Sequence, residues 1–355
     1  MDLRARLWMA VSVLAWAPLS PAFDEQPNEQ LKSAEHGIQW LIKAQNADGS
    51  WGMDFKSPPD VAATCIAGLS LLAAGNTNRD GPDPACVKAL DKSVQYVLKR
   101  ARSAGAHRDI AEGERSEVQT YVGERVHTFF AVLFLSQVYG SHAIDLPAES
   151  YNEMKEAITK MTNSIAMSQE SDGSWHKETY SSLQATAYAW MALRSADSAG
   201  IPIRHAAVDR TLKFIKSQFN PSTKLFDSTS NNAIYSTASA MRILHGMGKW
   251  KEREDSQATG ELLRLICKGG TMGQGFLTNT GEDFTASVLI THALVKEGGE
   301  HWETWFDFVR TRLMKIQNSD GSWTATSCLR GRTFPTACAL LCLQAPTRLL
   351  PILDL

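Results

Sequence analysis

One seven-residue plan, Gln-x-x-Asp-Gly-Ser-Trp, occurs at 45–51, 169–175 and 317–323. It constrains the fold more than any other feature of the chain. Two weaker copies lie between the second and third: Gln218 with Phe226, and the Gly-rich stretch at 268–276. From 169 the starts fall at 218, 268 and 317, a period of about fifty residues. A fixed period of this size means one supersecondary unit used repeatedly. Stacked units share a core, so the 355 residues read as one domain although length alone suggests two.

Each copy separates two helical stretches, and these come in two kinds. Amphipathic, charged stretches lie at 30–44, 86–102, 150–168, 205–218, 255–267 and 301–316. Stretches rich in Ala, Ser, Thr and large apolar residues lie at 61–74, 125–140, 182–193, 233–247, 283–295 and 333–344. A charged helix can keep one face in water, whereas one apolar on nearly every side must be enclosed. Six pairs therefore predict an inner ring of small-residue helices inside an outer ring of amphipathic ones. Asp-Gly after Gln is a turn signal, and the following Trp needs a wall. The Gln–Trp element thus reads as a staple between successive hairpins. Residues 103–124 exceed the other connections in length and charge, and read as an insertion on one rim, where function concentrates.

The ends and the bulk properties bound the setting. Residues 1–22 resemble a secretory signal peptide, with Arg4 and Arg6 before an apolar run and Ser20-Pro21-Ala22 before the expected cleavage. That run is too short to span a membrane comfortably, so a secreted or periplasmic protein without a stable membrane span is expected. The domain boundaries that follow are a linker at 23–29, one helical domain at 30–347 and a tail at 348–355. A formal charge of −2 gives no electrostatic footprint for nucleic acid. Six cysteines in an exported chain permit disulfides without requiring them. Buried free thiols are one reading; the other is that ring closure brings Cys65 near Cys338 or Cys342. No CxxC or Cys/His spacing for a structural zinc is present.

The Gln–Trp element resembles the QW-type repeat of the terpenoid cyclase and prenyltransferase families. The run 282–323, with Gly298, Gly299, Trp302 and Trp305 ahead of the third copy, is similar to secreted bacterial prenyltransferase/squalene-oxidase-repeat proteins. The resemblance covers nearly the whole chain after the leader. It implies an all-α fold, an α/α toroid of six helical hairpins in an inner and an outer ring; an open solenoid is the structural alternative. The family's catalytic motifs do not carry over. The D-x-D-D acid of squalene–hopene-type cyclases is missing. In place of the Asp-Cys-Thr-Ala of oxidosqualene-type cyclases stands Asp60-Val61-Ala62-Ala63-Thr64-Cys65. The zinc pattern of protein prenyltransferases meets Asp283-Phe284-Thr285, which lacks the thiolate, and 333–344 has no His. No metal and no cofactor are expected.

Asp60 and Asp283 stand at the starts of inner helices and read as N-caps, where backbone amides and the helix dipole lower a carboxyl's pKa. Other polar residues that a toroid can aim inward are Arg125, His127, Tyr180, Tyr188, Tyr235, His292 and Arg332. The catalytic candidates are Asp283, His127, Arg332 and Tyr235. His127 titrates near neutrality, Tyr235 can face a cation, and Arg332 can hold a carboxylate or phosphate. Each also has an architectural reading as cap, core aromatic or salt-bridge partner. Two functions stay open. One is a toroid that binds a small molecule, glycan or protein partner in or at the mouth of its central cavity. The other is an enzyme, either a diverged isoprenoid cyclase or a polysaccharide lyase or hydrolase, with Arg332 and His127 as the pair for lyase chemistry. The lining of the central cavity discriminates them.

Overall fold

The computed structural model describes residues 26–104, 109–111, 116–141, 148–175, 182–226, 233–249, 252–268, 276–277 and 280–347. The leader 1–22, Tyr180 and the tail 348–355 lie outside them. The inner helices are α2 (Val61–Ala73), α5 (Val126–Ser141), α7 (Ser182–Ser198), α9 (Ala233–Gly246), α11 (Gly281–Glu297) and α13 (Thr333–Gln344). Around them stand α1 (Gln26–Ala44), α3 (Pro84–Ser103), α6 (Ala148–Met167), α8 (His205–Ser217), α10 (Arg253–Cys267) and α12 (Gly299–Ile316). Helix α1 starts at Gln26, so residues 26–29, expected as linker, are its first turn. Two short elements escape the sequence pattern. They are α4 (Glu117–Tyr121) in the insertion and a hairpin of β1 (Phe219–Asn220) with β2 (Leu225–Phe226) in a weak repeat.

Each inner helix packs on the next, and α13 packs on α2, which closes the ring and excludes an open solenoid. Every residue of α2 is buried, as the small-residue pattern requires of a helix walled in on all sides. Outer helices bury one stripe; in α12 only Trp305, Val309 and Leu313 are buried.

The three Gln–Trp elements are near-identical joints. The side-chain amides of Gln45, Gln169 and Gln317 each donate to a carbonyl of their own turn, at Gly49, Gly173 and Gly321 (3.0, 3.0 and 2.9 Å). Each also donates to a carbonyl on the next outer helix, at Ala89, Ala207 and Ser33 (2.8, 2.7 and 2.9 Å). The indoles of Trp51, Trp175 and Trp323 donate to the backbone of the preceding outer helix at Leu41, Ile165 and Leu313. Their backbone amides donate to Thr64, Thr186 and Thr336 on the following inner helix. One element therefore ties three helices. The glycines have φ of +91°, +97° and +91°, and a Cβ there would come within 2.4–2.5 Å of a carbonyl of the neighbouring outer helix. In the weak repeat Phe226 replaces Trp, and its amide still donates to Thr237 (3.0 Å).

The third joint also closes the outer ring, because Ser33 belongs to α1. Around this seam Gln30 donates to the Leu343 carbonyl, Gln344 to that of Ser70, and the amides of Arg332 and Thr333 to that of Met53. All six cysteines are free thiols; hydrogen bonds hold the seam, and no Cys65 bridge forms. Trp323→Ala removes a fully buried indole and is expected to cost about 3–5 kcal/mol. The cost should appear as a lowered Tm in calorimetry, with Gln317→Ala costing less. Alkylation in denaturant without reductant should label six thiols.

Candidate functional site

The inner helices run parallel, so their N-termini gather at one mouth of the ring. The insertion lies across that mouth. Ile110, Val118 and Val122 are buried, and Glu117 of α4 pairs with the backbone amide and guanidinium of Arg330 on the opposite side (2.8 and 2.6 Å). Tyr121 interacts with the Cys328 thiol. The loop 325–331 that receives α4 carries two consecutive left-handed residues, Cys328 and Leu329 (φ 42° and 58°). Few non-glycine residues adopt that conformation. It places the Cys328 carbonyl 2.8 Å from the Gly281 amide at the start of α11.

His127 sits where the insertion meets α2. Its Nδ1 is 2.8 Å from Asp109 and its Nε2 3.2 Å from Asp60, with Ser116 Oγ 3.4 Å from Nε2. Asp109 also accepts from the amide and hydroxyl of Thr128 and from Gln119. Ser, His and Asp in this order suggest a nucleophilic triad, but the charges argue otherwise. Burial opposes the imidazolium, yet the hydrogen bonds it donates to Asp109 and Asp60, with their charge, outweigh it and hold His127 at about 9. A His protonated on both nitrogens cannot accept the Ser116 proton near neutrality. Ser116 is itself the N-cap of α4, in a reciprocal capping box with Gln119. His127 is therefore a clamp. Asp60 is the N-cap expected, accepting from the Ala63 amide (2.8 Å). Burial works against its carboxylate, but His127 and the helix amides hold it below the usual range.

Asp283 departs from expectation. The N-cap of α11 is Thr280, and Asp283 lies inside the first turn, where it is 3% exposed. Its carboxyl accepts from the Tyr235 hydroxyl (2.9 Å) and the Leu277 amide (3.0 Å). Burial dominates over these bonds and, with neighbouring Glu282, pushes it up to about 7. The lowered pKa expected of a cap is corrected, because the dipole's help is smaller than the loss of water. Glu282 is equally buried, raised by burial, and was not singled out in the sequence. Its signal was an acid pair opening an inner helix. Asp109 was also missed, since nothing in the sequence of an irregular insertion marks a helix-start partner.

The remaining candidates disperse. Arg332 lies at the outer seam, bound to Asp54 (2.7 Å) and Asp320 (3.2 Å) and stacked on Trp40 (5.3 Å). It shares no partner with His127, so the lyase pair is not assembled. Arg125 donates to Ser164 on α6. Tyr235 stands on the inner face with Asp283, and Tyr188 and His292 are buried further inside. At the opposite mouth His245 contacts Asp255 (2.9 Å) and the Ala293 carbonyl (3.1 Å), joining α9, α10 and α11.

The ring interior is crossed by its own side chains. Gln184 of α7 donates to Thr285 of α11 (3.0 Å), past the intervening α9. Phe130 of α5 meets Tyr188 of α7 (4.8 Å) and Phe334 of α13 (5.8 Å). Tyr188 also reaches Thr285, and burial raises its phenol. Among the described residues no group of three or more His, Cys, Asp or Glu is placed to hold a metal ion, and no helix is long and apolar enough to cross a membrane.

Two titrations check these assignments. A folded pKa of about 9 against 6.5 gives the His127 clamp its full stability below about pH 6.5, lost as pH rises through 9. Proteolysis within 103–124 should therefore accelerate between pH 8 and 10, with a flatter profile in His127→Gln. A carboxyl raised from 3.8 to about 7 opposes folding increasingly as pH climbs from 3.8 to 7. Asp283→Asn should raise Tm at pH 8 more than at pH 4; an equal gain at both counts against a buried neutral acid.

No family model matches the chain, and no curated protein matches it in sequence. Solved structures match in fold. The type II terpene cyclase MstE from Scytonema shares 16% identity at a TM-score of 0.55, covering 91% of this chain and 100% of its own. A variant of it holding geranylgeranyl dihydroxybenzoate gives 14% and 0.56, over 92% and 99%. An inactive α-1,6-mannanase from Salegentibacter, with two consecutive aspartates replaced and α-1,6-mannotetrose bound, gives 10% and 0.59, over 90% and 99%. At these identities the likeness concerns the fold alone: the chain is an α/α toroid, the architecture it shares with both the cyclase and the mannanase.

Proposed function

We propose that the chain is an exported toroid that binds a ligand or partner and performs no isoprenoid cyclisation. The observation that carries this reading is the crossed interior. Gln184, Thr285, Phe130, Tyr188 and Phe334 contact one another where an elongated prenyl chain would need continuous room. Cyclisation also needs an acid aimed at an alkene. The carboxyl oxygens of Asp283 are instead engaged by Tyr235 and Leu277. The leader-like residues 1–22 support export.

A second reading rests on one specific feature, the consecutive buried acids Glu282 and Asp283. The mannanase neighbour is inactive when two consecutive aspartates are replaced, and glycoside hydrolysis needs two carboxyls. Against it, both acids are 3% exposed and lie under the loop 325–331, so a sugar has no approach without moving that loop. Incubation with geranylgeranyl dihydroxybenzoate and, separately, with α-1,6-mannotetraose tests both readings. Mass spectrometry should recover each substrate unchanged. A cyclised isomer would overturn the proposal, and shorter mannosides lost in Asp283→Asn would favour the second reading.

A further inference from the structure

The loop 325–331 has both ends tied together. The Ala325 amide donates to the Gly331 carbonyl and the Gly331 amide to the Ala325 carbonyl, both at 2.9 Å. Short surface loops with touching ends behave as units and often carry function. Each end of this one also continues into the frame of the ring. Trp323, just before Ala325, belongs to the third joint, and Arg332 and Thr333, just after Gly331, donate to the Met53 carbonyl. The neck is therefore fixed.

The tip is held differently. Thr326, Ser327 and Arg330 are exposed, and Leu329, at 0% exposure, is its apolar anchor. The Ser327 and Cys328 carbonyls accept from the Gly281 amide (3.1 and 2.8 Å). Gly281 forms the seat, since a Cβ there would collide with the Cys328 carbonyl and come 2.6 Å from Leu329 Cβ. The Cys328 thiol interacts with Tyr121, Glu282 and Thr280, and Glu117 of α4 takes the amide and guanidinium of Arg330. Two features oppose this closed position. Cys328 and Leu329 are both left-handed, a conformation that non-glycine residues keep only where their surroundings impose it. Beneath the tip, Glu282 is 3% exposed and its Oε1 has no hydrogen-bond partner within the protein. A dry carboxyl oxygen regains hydration when it is uncovered.

We propose that the loop 325–331 is a hinged lid over Glu282, latched by α4, which turns about its Ala325–Gly331 neck and when open admits ligand to the start of α11. A rigid neck, a strained tip and a latch supplied by another element are what gating of this kind requires. The lid deepens the reading of the chain as a ligand-binding toroid by giving the ligand its way in.

Native-state hydrogen exchange tests the motion. In the wild-type protein the Gly281 and Arg330 amides should be about tenfold less protected than the neck amides of Ala325 and Gly331, because the tip opens without the neck. Glu117→Ala should lower Gly281 protection by a further factor of about five and leave the neck unchanged. Arg330→Gln should act in the same direction and stands in if α4 unravels in the first variant. A water-soluble carbodiimide with glycinamide tests the access. It should amidate Glu282 in the native protein, faster in both variants, and leave Asp255, 1% exposed at the opposite mouth, unmodified. Equal protection of tip and neck amides, lost only on global unfolding, overturns the lid. So does a variant that loosens neck and tip together, or a Glu282 that stays unmodified while Gly281 exchanges. Recovery of the prenyl and mannosyl substrates tests the ligand-binding reading separately, so either can fail alone.

Discussion

A ring of helical hairpins leaves a turn at every joint, and each turn carries backbone groups that water cannot reach once the ring closes. Leaving such groups unpaired would cost more than a single joint gains from packing. The Gln–Trp element meets that constraint with three side chains. Glutamine donates two hydrogen bonds, to its own turn and to the next outer helix. Tryptophan fills the wedge between rings while its indole N–H satisfies a carbonyl behind it. Threonine on the inner helix accepts the tryptophan amide. Phe226 shows which part is dispensable: it keeps the amide–threonine bond and the apolar wedge and drops the indole bond.

The architecture was legible because its causes are local and repeated. Period, small-residue inner helices and charged outer helices each follow from sequence and agree with one another. What escaped is what depends on distant residues. Asp283 resembles Asp60 in sequence, as an acid at the start of an inner helix. In space Asp60 meets an imidazolium, whereas Asp283 meets a phenol and a second acid, and their carboxyl groups shift in opposite directions. Arg332 and His127 could be paired on paper because nothing local forbids it. In the fold each already has two carboxylates of its own. Short α4 lacks a periodic face, and only its packing across the mouth makes it a helix worth naming.

Charge at the mouth mainly serves construction. The Asp109–His127–Asp60 chain joins the insertion to the start of α2, and Glu117–Arg330 anchors its far side. Buried ion pairs of this kind gain little net stability but penalise alternative arrangements. The insertion is thereby set in one place over the parallel helix ends. The polar groups that lack such partners lie further in, among Gln137, Trp190 and His292.

The seam joins residues 284 and 313 positions apart in the chain. Hairpins formed early in synthesis can stack on their neighbours as they emerge, yet α1 and α2 must wait for the final segment before their last faces are covered. Until then the growing arc ends in an uncovered apolar edge at each side, able to adhere to the wrong surface. Completion is thus an all-or-nothing event governed by the last repeat, and a chain truncated within α13 loses the neighbour that the very first helices were waiting for.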